Sequence, residues 1–183
     1  MSVKLEQFQV VKDFLSEDEL DLAYSYVMLV PKTGIVDDQI PNSPSWYNDP
    51  LMQVLHLKHW HKMEELIGMK LIPTYCYLRD YKNGAILKKH TDRPSCEYSA
   101  TINLGYQADE PWPIYLNDLD GNKHTVILQP GDALLYKGIE LEHWRDRFDG
   151  QKYTQLFLHY VAEFGPYKEW AWDKRKERSL SFS

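Results

Sequence analysis

The sequence predicts a mainly β fold with flanking helices, a β-sandwich or jelly roll that follows an N-terminal helical part. Two observations carry this. From Leu71 onward short β-rich runs fall at 71–81, 86–91, 97–105, 113–117, 124–129, 132–137, 141–147 and 152–162. Turn signals at Lys82-Asn83-Gly84, Asp120-Gly121, Pro130-Gly131 and Asp149-Gly150 separate most of them, which is the punctuation of an antiparallel barrel or sandwich and not of βαβ units. The length agrees: 183 residues suit one domain at roughly 100 to 200 residues each, with parts at 1–70, 71–162 and 163–183. With 43% hydrophobic residues, 13 Tyr, 6 Trp and 6 Phe, the chain has the material for an autonomous core.

Within the first part, Ser16 stands three residues before Glu19 ahead of an apolar run, so Ser16 caps a helix reaching about Leu29. Residues 31–50 hold Pro31, Pro41, Pro44 and Pro50 without periodicity, the texture of either a functional lid or a passive surface loop. Asp49-Pro50 then reads as a cap and a first-turn proline. Met52, Leu55, Trp60, Met63 and Ile67 follow at helical spacing up to Gly68, so one stripe of this second helix packs on a sheet. The tail after Gly165 is Trp-rich and then charged from Asp173 to Arg178, and is expected to fray.

Composition excludes several function classes. The 21 basic and 27 acidic side chains leave a net charge of −6, which opposes nucleic-acid binding. No run approaches a membrane span and the start lacks an apolar signal core, so a soluble cytoplasmic protein without membrane partners is expected. Two cysteines, Cys76 and Cys96, make neither a disulfide framework nor a structural zinc site, and the seven histidines become the main source of metal chemistry. GxGxxG, P-loop, HExxH, GxSxG and CxxC patterns are absent.

What remains is His90-Thr91-Asp92 at the end of a predicted strand, and His143 on a later one. In a strand, residues i and i+2 face the same side, so His90 and Asp92 can reach one ion. His143 supplies a third ligand, and two imidazoles with one carboxylate leave half of an octahedron open, as non-haem Fe(II) oxygenases require. Alone, a His-x-Asp pair also suits a surface strand end bearing an ion pair. Two further features accompany it: Tyr81 lies nine residues before His90 with Gly84 between, and Lys152 nine after His143, where a cation facing the barrel interior would bind a dicarboxylic co-substrate.

With these residues in place the sequence resembles the prolyl 4-hydroxylase-like branch of the Fe(II)/2-oxoglutarate-dependent dioxygenases. The resemblance covers roughly 70–162 and the Phe14-Leu15-Ser16 helix start. It rests on Tyr81-x-x-Gly84-x-x-Leu87-x-x-His90-x-Asp92, on Gly131-Asp132-Ala133-Leu134 before His143, and on Gly150-x-Lys152-Tyr153. It implies a double-stranded β-helix (jelly roll) with the N-terminal helices packed on one sheet, all within a single oxygenase domain. It further implies Fe(II) held by His90, Asp92 and His143, and 2-oxoglutarate contacted by Lys152 and Tyr81. Asn103, where related oxygen-sensing hydroxylases have a tyrosine, and Tyr77 join that co-substrate set. The implied activity uses O2, and in some relatives ascorbate, to hydroxylate an unactivated C–H bond with release of succinate and CO2. A prolyl residue in a peptide or protein is the favoured substrate, a free amino acid or other small molecule the alternative, and a non-catalytic or zinc-binding cupin-like barrel a reading of another class.

Strand parity also brings Tyr75, Tyr77, Arg79 and Tyr81 to one side, where Arg79 and Tyr77 can orient co-substrate or substrate, although interior tyrosines also serve as core. Trp144 points opposite to His143 and is read as packing. Trp46 and Tyr47 of the Pro-rich segment are candidates to cover bound substrate. His56 and His59 are read as a solvated helix face, His124 and His159 show no partner, and Cys96 is read as a structural or incidental thiol.

Overall fold

The computed structural model describes residues 5–29 and 34–175. The first residues of the Pro-rich segment, including Pro31, and the charged run from Lys176 lie outside them. The described residues form two antiparallel sheets. The larger has six strands in the order β1-β8-β5-β10-β3-β2, namely Phe8–Val11, Ala133–Tyr136, Tyr98–Gln107, Lys152–Ala162, Leu71–Lys82 and Ser45–Tyr47. The smaller is β4-β9-β6-β7, namely Leu87–His90, His143–Arg145, Ile114–Asn117 and Lys123–Val126. Every strand expected from the turn signals is present, and the fold is the expected jelly roll. β1 and β2 are additions, each too short to announce itself: β1 pairs with β8 along Phe8 to Val11, and β2 extends the edge beside β3.

Helix α1 (Glu17–Leu29) starts on the expected reciprocal cap: Glu19 N–H donates to Ser16 Oγ at 3.3 Å, and Ser16 N–H to Glu19 Oε2 at 2.9 Å. Helix α2 (Pro50–Lys58) is capped by the Asp49 carboxylate, which accepts from the amides of Leu51 and Met52. The single helix expected up to Gly68 is instead broken at His59 (φ −88°, ψ 3°), and α3 (Trp60–Ile67) begins there. The cause is a side chain: the His59 ring packs against Phe14 and its Nε2 lies 3.1 Å from Glu19 Oε1, so the chain turns to bury it. Gly68, at φ 80°, ends α3 in the left-handed region as its sequence position implied.

All three helices lie on the larger sheet. Ala23, Val27, Met52, Leu55, Met63 and Ile67 close over Leu78, Ile102, Leu135, Leu156 and Leu158 in the main core. Residues of the opposite parity on the same strands therefore face the smaller sheet. The space between the two sheets holds the site. Among the described residues no helix is long and apolar enough to cross a membrane.

Candidate metal centre

β4 and β9 are neighbours with His90 opposite His143. The two imidazoles lie with ring centroids 4.4 Å apart. Asp92, two residues past His90, reaches back so that its Oδ1 is 3.5 Å from Nε2 of each histidine. Ligands meeting at right angles on one ion with bonds of about 2.1 Å stand roughly 3 Å apart, so the three donors need only a small contraction to share a cation. Each imidazole is also oriented for this. Nδ1–H of His90 donates to the Lys88 carbonyl at 2.7 Å, and that of His143 to the Leu141 carbonyl at 2.9 Å. In the neutral rings those bonds keep the proton on Nδ1 and leave both Nε2 lone pairs free for a metal, whereas in the metal-free protein a second proton on Nε2 makes the ring a donor to the carboxylate.

Electrostatics agree. Burial raises the Asp92 carboxyl, but hydrogen bonds from His143 and His90 outweigh it and hold the group well below the usual carboxylate range. For His90 burial disfavours the imidazolium, yet the Asp92 hydrogen bond and the Lys88 carbonyl bring its pKa above 6.5. The carboxylate is positioned by backbone. Asp92 N–H donates to the Gly138 carbonyl at 2.8 Å, and Gly138 lets that chain approach so closely that a Cβ there would overlap Asp92 Oδ2. Oδ2 itself is buried without a hydrogen-bond partner.

The triad opens on a cavity of about 250 Å³ between the sheets. Tyr75, Tyr77, Arg79 and Tyr81 all line it, as their shared parity on β3 implied. Tyr47 lines it as well. Arg79 pairs with Asp37, and Tyr77 Oη lies 2.6 Å from Ser45 Oγ and 3.1 Å from Asp37 Oδ2, so the segment carrying Asp37 and Ser45 is tied to β3. Trp144 stacks on Tyr115 on the outer face, a packing residue as expected.

Three expected site residues are placed elsewhere. Lys152 shares its parity with Thr154, Leu156 and Leu158 and so projects from the helix-covered face. Its Nζ lies 3.8 Å from Asp80 Oδ1 and beside Met28, which corrects the expectation that it faces the interior. Asn103 is fully buried but spends its amide on the backbone, donating to the Leu128 carbonyl and accepting from Gly105 N–H, and it does not line the cavity. Trp46 alternates with Ser45 and Tyr47 along β2, so it packs on the main core and cannot cover the cavity. The histidine expectations also change. His56 and His59 are buried, not solvated: His56 Nε2 donates to the His159 carbonyl at 3.0 Å, and burial drops its pKa to about 3.

Sequence reasoning missed several cavity residues, four of which bear on the site's chemistry or its aromatic wall. Arg145 follows His143 by two on β9, so period-two parity was the available signal. Arg93 lies over the Tyr75 ring and donates to Asp173 at 2.9 Å. His159 is held through Nδ1 by Ser99 Oγ at 2.8 Å. It joins Cys96 and Asp92 in a second group of potential metal donors, and Cys96 Sγ is 3.1 Å from Tyr75 Oη. Phe157 completes the aromatic wall. His159 and Cys96 lie on strands or turns whose partners are distant in sequence, which left no local signal.

No family model and no curated protein matches this sequence. Solved structures do resemble it. HygX from Streptomyces hygroscopicus, solved with nickel, 2-oxoglutarate and hygromycin B, aligns with a TM-score of 0.69 at 14% identity, over 86% of this chain and 84% of that one. A Pseudomonas putida prolyl-4-hydroxylase aligns at 0.67 and 16% identity, over 86% and 94% of the two chains. A prolyl hydroxylase from Trichoplax adhaerens, in complex with a hypoxia inducible factor peptide fragment, aligns at 0.68 and 13%, over 87% and 85%. The fold is that of the 2-oxoglutarate/Fe(II) oxygenases, prolyl hydroxylases among them.

Proposed function

We propose that this protein is an Fe(II)- and 2-oxoglutarate-dependent dioxygenase, with His90, Asp92 and His143 holding the metal. The observation that carries this reading is the convergence of two pre-oriented imidazole Nε2 atoms on one carboxylate oxygen at 3.5 Å, at the edge of an interior cavity. The donors are nitrogen and oxygen, in a two-histidine, one-carboxylate set that suits an exchangeable divalent iron with open positions. When bound, Fe(II) with 2-oxoglutarate and O2 supplies the oxidising power for inserting oxygen into a C–H bond, with succinate and CO2 released.

The chain's own contribution is orientation and exclusion. The backbone carbonyls of Lys88 and Leu141 hold the imidazole tautomers, Gly138 fixes the carboxylate, and the aromatic walls keep bulk water from the reacting atoms. A cavity of about 250 Å³ lies below the 300–1,000 Å³ typical of sites that enclose a whole drug-sized ligand. It holds a small co-substrate and one reacting group. That favours a residue displayed on a peptide, with a prolyl ring against Tyr47, Tyr75 and Tyr77 as the first substrate to test, over a bulky molecule swallowed whole.

The decisive experiment is anaerobic addition of Fe(II) and then 2-oxoglutarate. A metal-to-ligand absorbance band is expected, followed on admission of O2 by succinate release even without prime substrate. Absence of both would favour a non-catalytic barrel. Candidate peptides are then screened by mass spectrometry for the gain of one oxygen atom.

Metal loading is also expected to depend on pH. Ligation needs neutral His90, whose pKa is raised above 6.5 while the metal-free protein is folded, so protons compete with metal below that raised value. Co(II) affinity, read by titration, is expected to be higher near pH 8 and to fall already as pH approaches about 6.5. Affinity that stays flat over this range counts against the assigned ligand.

A further inference from the structure

We infer that the distal carboxylate of the co-substrate is seated by Arg145 and Tyr153, on strand β9 and the β10 face that meets it, and not by a cation opening β10. The inference rests on the oxygenase reading above. Arg145 is 2% exposed, lines the cavity, and among the described residues meets no carboxylate. The other two arginines of the cavity are both neutralised, Arg79 by Asp37 and Arg93 by Asp173. A buried guanidinium without an anion is costly, and such a group in a cavity marks where an anion binds.

Its surroundings hold it ready. Arg145 donates to the Trp112 carbonyl and, at 3.0 Å, to Gln155 Oε1, and Gln155 is itself fixed by donating to Thr101 Oγ1 at 2.6 Å. Those two bonds use two of the five guanidinium N–H groups and leave the others for a ligand. The guanidinium packs into the corner formed by the Trp112 and Tyr153 rings, 4.7 Å and 4.9 Å from their centroids, the two rings themselves meeting edge to face at 5.7 Å. The Tyr153 hydroxyl, on the ring that packs against this guanidinium, is buried without a hydrogen-bond partner. One cation lacking an anion and one hydroxyl lacking an acceptor thus stand side by side, and a carboxylate satisfies both.

Position supports the same ligand. Arg145 and His143 are i and i+2 on one strand face, about 6.7 Å apart along it. A five-carbon dicarboxylate chelated at the metal through one end reaches that distance with the other. Parity excludes the alternative: Lys152 projects from the opposite face of β10, while Tyr153, its neighbour, projects inward.

The test compares 2-oxoglutarate with 2-oxopentanoate, which keeps the chelating end and replaces the distal carboxylate by a methyl group. Each is titrated anaerobically into the Fe(II)-loaded full chain, following the metal-to-ligand band. The wild type is expected to prefer 2-oxoglutarate. Arg145→Met is expected to weaken 2-oxoglutarate by about 10- to 150-fold, the size of a charge-assisted contact, while leaving 2-oxopentanoate unchanged. Tyr153→Phe keeps the ring and is expected to lose about 2- to 13-fold for 2-oxoglutarate alone, which reads the seat even if Arg145→Met fails to fold. Lys152→Met is expected to leave the preference intact. Discrimination that survives Arg145→Met, a 2-oxoglutarate affinity unchanged in Tyr153→Phe, or discrimination that disappears in Lys152→Met overturns the assignment. A wild type that gives no band with either acid removes the oxygenase reading itself.

Discussion

Asp92→Ala is expected to leave no measurable succinate release from 2-oxoglutarate. Among the described residues Asp92 is the one carboxylate that faces both histidines, at 3.5 Å from each Nε2, and the only anionic donor the triad would offer a divalent ion. Losing a residue that merely supports a metal ligand typically costs about 10- to 100-fold, so loss of the ligand itself is expected to exceed that range. The variant also has a metal-free signature. The folded-state pKa of Asp92 is depressed, so its ionised form stabilises the fold at pH above the unfolded value near 3.9, and that contribution is lost as pH falls through the folded value. Metal-free Asp92→Ala is therefore expected to melt below the wild type at neutral pH, with the gap closing under strongly acidic conditions. Retained turnover in a folded Asp92→Ala protein would falsify the triad.

Gly138→Ala is expected to damage the same site without removing any ligand. A Cβ at Gly138 would overlap Asp92 Oδ2 and lie 2.7 Å from the Cys96 carbonyl oxygen. The backbone oxygen is held in the turn that precedes β5, whereas the carboxylate is the free end of a side chain, so the carboxylate is what yields. Metal affinity is expected to drop sharply, with a stability cost of about 1–3 kcal/mol from overpacking. Titration with Co(II) separates the two effects: an unchanged affinity together with a lowered Tm would mean that the backbone moved and the carboxylate did not.

The parts of this molecule that were legible in the sequence are those written by local rules. The reciprocal Ser16–Glu19 cap, the Asp49-Pro50 start, the Gly68 stop and the eight strands between turn signals depend on neighbours within a few residues. The grouping of His90, Asp92 and His143 was legible because period two joins His90 to Asp92, and because a spaced motif supplied His143. The errors share one origin. His59 breaks a helix because it is wanted by Glu19 and Phe14, forty and more residues earlier. Trp46 was judged by its place in the Pro-rich segment and Lys152 by its spacing from His143, yet parity on β2 and β10 turns both side chains to the helix-covered face. Parity was also the unused signal for Arg145, two residues beyond His143.

Among the described residues, the smaller sheet begins with β4 as an outer strand, paired laterally with β9 alone, through Leu87–Arg145 and His90–His143. An outer strand of four residues has few ladder bonds and little covering it, which makes it the natural place for a sheet to fray. A cation held jointly by His90 and Asp92 from that margin and by His143 from the next strand would act as a rivet across the seam. Its binding free energy would thereby be added to the cohesion of the barrel mouth, so the ion proposed to carry out the chemistry would also keep the rim of its own container closed.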